Sequence, residues 1–154
     1  MMNVKNAEGK SVDWWFLYKT PEHTGRQENK GVDFFCYNPN KESLQLSINQ
    51  LDQDNQALAQ TLHSVFDAPK SAGYIVYNDE HVDKQSNHSA KGHYKGIIAF
   101  DKESDSALFL LHSTPRFHAN NEIERPDDER IYGQTLSVSH CPTMKPQIKS
   151  PSRC

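Results

Sequence analysis

The stretch Gly92-His93-Tyr94-Lys95-Gly96-Ile97-Ile98-Ala99-Phe100-Asp101 (GHYKGIIAFD) sets a His-x-Lys couple at the head of an apolar run. Residues two apart on a strand project to one face. A strand over Gly92 to Phe100 therefore points His93 and Lys95 the same way, and the flanking glycines leave room for a ligand near the backbone. The polar turn Asp101-Lys102-Glu103-Ser104-Asp105-Ser106 follows, and then a second apolar run, Ala107 to His112. Two such runs around a short turn predict a hairpin. Its open end would bring His112 toward His93.

Working outward, aromatic and β-favouring residues over Val12–Lys19 (VDWWFLYK) predict a buried strand ended by Pro21. Thr20 to Lys30 is polar and reads as a loop, Gly31 to Tyr37 (GVDFFCY) as a further strand, and Asn38-Pro39-Asn40 as a turn. Leu44, Leu46 and Ile48 alternate with Gln45 and Ser47, the period of a half-buried strand. One helix follows: Leu58, Leu62, Val65 and Phe66 share a face, Asp52 or Asp54 caps it, and Pro69 stops it. Gly73 to Tyr77 (GYIVY) is apolar enough for the inside of a sheet, and Tyr132 to Ser139 suits one more strand. Several strands around one clear helix predict an α+β or α/β fold, helix layered on sheet. The expected domain is 1–140; Cys141 to Cys154, with three prolines and no periodicity, reads as a disordered tail.

The chain has 154 residues, enough to bury one core. Hydrophobic residues make up 35% and aromatic residues 10%, so the composition is polar but suited to a folded domain. A formal charge of −3 excludes a global field that attracts nucleic acid, so affinity for a polyanion needs a local cluster of Lys and Arg. With eight histidines the charge moves toward about +5 in acid. Cys36, Cys141 and Cys154 are odd in number and cannot all pair within the chain. No apolar stretch suited to a signal peptide follows Met1, and no run is long enough to span a membrane. Asn87-His88-Ser89 is a glycosylation sequon, meaningful only in a secreted chain.

An imidazole beside a fixed ammonium suits phosphodiester chemistry. His can attack or donate a proton, and Lys can bind the oxygens that gain charge; no metal is needed if the lysine supplies the cation. His93 and Lys95 are the candidate couple; His112 and Ser113 at the adjoining strand end, with Arg116, are the second candidate group, Arg116 adding phosphate affinity. On spacing alone, the same residues also fit a solvated strand face and a strand-end histidine held by backbone. His81, Asp83 and His88 share a loop but match no zinc spacing, and His63 within the helix reads as structural. Asp13, Asn78 and Asp79 read either as polar anchors at a site or as turn residues.

Five segments in this order, SVDWWFLYK (Ser11–Lys19), AGYIVYND (Ala72–Asp79), GHYKGIIAFD (Gly92–Asp101), LLHSTPRF (Leu110–Phe117) and YGQTLSVS (Tyr132–Ser139), resemble the first half of deoxyribonuclease II proteins. Gln56 to Leu62 (QALAQTL) falls where that family has a helix, and the resemblance covers about residue 9 to residue 139. The loop Ala119–Arg130 resembles members of the expanded families of such proteins in parasitic worms. The resemblance implies a phospholipase D-like sheet-and-helix sandwich of two similar halves, each with one His-x-Lys motif. It implies acid cleavage of double-stranded DNA, or of another nucleic acid, to 3′-phosphate ends with no metal or cofactor. One histidine forms a phosphohistidine, another protonates the leaving oxygen, and lysines hold the phosphate. Carried over, the motif maps to His93 and Lys95, and the strand-end histidine to His112. The resemblance further implies a secreted or lysosomal, glycosylated protein that does not enter a membrane. Only one His-x-Lys of the family's two is present. A homodimer across the twofold, or a second half, would complete the site; the alternatives are an inactive secreted homologue that binds nucleic acid or a host protein, and a truncated gene product.

Overall fold

A computed structural model describes residues 2–24, 30–68, 70–79, 95–115 and 130–142. Strands β1 (Trp14–Lys19), β2 (Phe34–Tyr37) and β3 (Gln45–Leu46) precede helix α1 (Ala57–Phe66), and β4 (Ala72–Asn78), β5 (Lys95–Asp101), β6 (Ser106–His112) and β7 (Gln134–Pro142) follow it. They form one sheet in the order β3-β2-β1-β7-β6-β5-β4. Every pairing is antiparallel, so of the two expected classes the chain is α+β. Two meanders, β1–β3 and β4–β7, meet along β1 and β7, and α1 carries the chain from one sheet edge to the other.

One face of the sheet carries the core. Trp15 and Leu17 of β1, Phe34 and Cys36 of β2, Ile97 and Ala99 of β5, Leu108 and Leu110 of β6, and Leu136 and Val138 of β7 are buried there with Leu58, Leu62 and Val65 of the helix. The cross-strand register Ile97↔Leu110, Leu110↔Val138 and Leu136↔Leu17 sets these side chains in rows, as strand alternation requires. Thr61 fastens the helix. Its hydroxyl accepts from Trp15 Nε1 at 3.1 Å and from the Lys5 amide at 3.1 Å. Met2 and Val4 are fully buried, so the amino-terminal segment is part of the core.

Several expectations change. The helix cap is Gln56, not an aspartate: its side chain accepts from the Leu58 amide at 2.7 Å and donates to the Leu51 carbonyl at 3.1 Å. A buried amide serves both needs at once, which an aspartate cannot. The predicted strand around Leu44–Ile48 shrinks to two residues at the sheet edge, with Ile48 exposed. β4 is the other edge strand rather than an inner one, and Tyr74, Ile75 and Val76 are exposed. β7 runs two residues into the expected tail, through Cys141 and Pro142, by pairing with β6. Cys36 and Cys141 are not in disulfides among the described residues; burial raises the Cys36 thiol pKa.

Candidate active site at one end of the sheet

Three strand ends bring the site together. Lys95 opens β5, His112 closes β6, and Gln134 opens β7, all on the core face. The register Gly96↔Leu111 puts Lys95 beside His112 one step further on. The core-face alternation that buries Ile97 and Leu110 thus carries on into an ammonium and an imidazole. Both are buried, which removes the solvated-face reading for Lys95. His93, Arg116 and Asn87 lie outside the described residues.

Lys95 forms an ion pair with Asp79, the residue after β4, and both side chains are almost wholly buried. The β4–β5 register sets Asn78 opposite Lys95, so the next residue reaches its ammonium from the sheet edge. Of the two readings open for Asp79, the anchor is the one realised. Only pairing across strands shows this, because 15 residues separate Asp79 from Lys95.

His112 is held uncharged. Burial lowers its pKa to about 4, with the Lys95 ammonium adding to the effect; a backbone hydrogen bond at Thr114 and the Asp79 carboxylate act the other way. Thr114, also buried, donates to Gln134 Oε1 at 3.2 Å. Gln134 Nε2 has no acceptor among the described residues. A buried donor left so costs about 1–3 kcal/mol, which makes this nitrogen a natural place for a ligand oxygen. Nothing in the sequence pattern distinguished Gln134 from other strand residues.

Lys19 ends β1 opposite Gln134. It is buried, and its Nζ donates to the carbonyls of Thr20 at 3.3 Å and Arg130 at 3.2 Å, tying two loops to this end of the sheet. Ser113 is placed otherwise. It is exposed, its hydroxyl accepts from the Thr135 amide at 2.9 Å, and strand alternation turns it to the face away from His112. Gly96 also has another reason than ligand access: a Cβ there would meet the Leu110 carbonyl oxygen at 2.3 Å and the Tyr77 hydroxyl at 2.5 Å.

Residues 3–150 match the deoxyribonuclease II family. A Burkholderia pseudomallei (strain K96243) protein provisionally named deoxyribonuclease-2 is 39% identical over 142 residues, 88% of this chain and 40% of that protein. Deoxyribonuclease-2-beta of Mus musculus is 30% identical, covering 87% of this chain and 38% of the mouse protein. Cell-death-related nuclease 7 of Caenorhabditis elegans is 31% identical, covering 95% and 38%. The chain spans about 40% of the length of the bacterial relative and 38% of the mouse and worm proteins. Since the family match takes in all seven strands, the helix and the polar end of the sheet, this chain belongs to the deoxyribonuclease II family.

Proposed function

We propose that the chain is one half of a metal-independent acid endonuclease. It would hydrolyse DNA phosphodiester bonds to 3′-phosphate ends through His93, Lys95 and His112. The observation that supports this best is the burial of an ammonium and an uncharged imidazole next to each other at the end of β5 and β6. A fixed cation away from bulk water stabilises developing phosphoryl charge far better than an exposed one.

In this reading an imidazole, His93, attacks phosphorus and the bond to the 5′ oxygen breaks. That oxygen takes a proton from a second imidazolium. Water then cleaves the P–N bond and leaves the phosphate on the 3′ oxygen. His112 stays unprotonated down to about pH 4 and suits the proton acceptor of the water step. One histidine cannot attack and protonate in the same step, so the proton donor comes from a second copy or a second half. What supports a partner is the outer sheet face, where Ile75, Ile98, Phe100 and Leu111 stand exposed. The phospholipase D-like sheet-and-helix sandwich of two similar halves belongs to the same proposal. So do secretion or lysosomal residence and glycosylation at Asn87. No helix among the described residues is long and apolar enough to cross a membrane.

Plasmid nicking at about pH 5 in excess EDTA tests the proposal. The unmodified chain should nick, and His93→Ala and Lys95→Ala should not. A folded but inactive chain would reject catalysis by this half alone and favour an inactive homologue that binds nucleic acid.

A further inference from the structure

Asp79 and Lys95 form a pair whose side chains keep 8% and 4% of their surface exposed. Such a pair is a poor device for stability, because desolvation cancels most of the attraction, and apolar side chains of similar volume serve a core as well. What it does provide is a cation fixed next to His112 with a carboxylate held against it. Asp79 comes off an edge strand, so it approaches Lys95 from outside the β5–β6 hairpin and leaves His112 on the opposite side. A phosphodiester entering on the His112 side meets an ammonium whose charge is already claimed by a carboxylate.

We propose that Asp79 is the positioning residue of Lys95 and its resident counter-ion: it holds the ammonium beside His112 and yields it to a phosphodiester oxygen when substrate binds. This rests on the phosphodiester reading of the site and deepens it. Anion binding then becomes an exchange of partners on Lys95. The affinity for a lone anion is low, and the shortfall must be made up by contacts elsewhere along a polyanion, which discriminates against free phosphate. The negative charge of Asp79 weakens binding, while its oxygen still serves to hold the lysine.

The test is sulfate binding to the full chain at about pH 5, by calorimetry, with Asp79→Asn and Lys95→Met beside the unmodified protein. Asn keeps an oxygen that accepts from Lys95 and removes the charge. Asp79→Asn should bind sulfate about tenfold more tightly than the unmodified chain, and Lys95→Met should bind none. Equal or weaker binding by Asp79→Asn would overturn the counter-ion, since a purely structural support predicts that outcome. Should Asp79→Asn not fold, the unmodified protein gives the answer through the 13Cγ resonance of Asp79. It should move as sulfate saturates Lys95, and a stationary resonance during saturation overturns the proposal. Sulfate that never engages Lys95 is a different result: it removes the phosphodiester reading itself, and this inference with it.

Discussion

His112 sits where two demands on a histidine conflict. Burial and the Lys95 ammonium keep it neutral, whereas the proposed chemistry runs in acid, where a solvated imidazole is mostly charged. The conflict has a measurable cost. In the unfolded chain His112 takes up a proton near pH 6.5, but in the folded chain only near pH 4. Between these values the unfolded state binds more protons, so stability is complete above about pH 6.5 and falls as acid is added. The loss from this residue approaches about 3 kcal/mol by pH 4. Urea midpoints at pH 7 and pH 4.5 should show the decline, and His112→Asn should flatten it. An equal slope in both proteins would assign the acid sensitivity to other groups.

The hairpin of β5 and β6 is the element that makes the site, and its geometry depends on close strand approach at Gly96. The Leu110 carbonyl oxygen on one side and the Tyr77 hydroxyl on the other fill the space a side chain would need. Gly96→Ala must push β4 or β6 aside next to Lys95. We expect a loss of about 1–3 kcal/mol, as for overpacking in other cores, together with reduced nicking because Lys95 and His112 move apart. Thermal unfolding and activity on the same sample check both. Unchanged stability would show that Tyr77 simply rotates away. At the far end of the same hairpin Asp101 organises the turn: it accepts from the Ser104 hydroxyl at 2.5 Å and the Glu103 amide at 3.1 Å. One end of the element is thus closed by local hydrogen bonds. The other holds the buried Lys95 and His112.

For the molecule as a whole, the sheet is covered on one face by α1 and the amino-terminal segment, while the outer face holds Ile98, Phe100 and Leu111 in solvent beside Ile75 of the edge strand. Apolar side chains grouped in this way are the kind of surface that the proposed partner would cover. Sedimentation at tens of micromolar should therefore show self-association, and Ile98→Lys with Leu111→Lys should abolish it while leaving the far-ultraviolet dichroism unchanged. A strictly monomeric unmodified chain would exclude a homodimer as the way the site is completed and leave a second half as the remaining route. If nicking and self-association are lost together in the lysine variants, the active unit is the dimer.

Much of this was legible beforehand, for definite reasons. The apolar, β-favouring runs Val12–Lys19, Gly92–Phe100 and Ala107–His112 are a local signal for strands, and the fold has strands at Trp14–Lys19, Lys95–Asp101 and Ser106–His112. The helix declared itself by a 3.6-residue period and a proline stop. Lys95 and His112, which the β5–β6 register sets side by side, were singled out by the same local pattern together with the resemblance, whereas His93 lies outside the described residues. The rest depends on contacts between distant residues. That GYIVY lies at an edge rather than inside was invisible, because an apolar run has the same composition in both places and only strand order differs. Gln56 outcompeted Asp52 and Asp54 as cap because its amide also reaches the Leu51 carbonyl, a partner set by the loop's fold. Asp79 and Gln134 are ordinary polar residues in the linear chain. They join the candidate site because the antiparallel register brings the ends of β4, β5, β6 and β7 to one side, where burial changes what an ammonium, an imidazole and an amide can do.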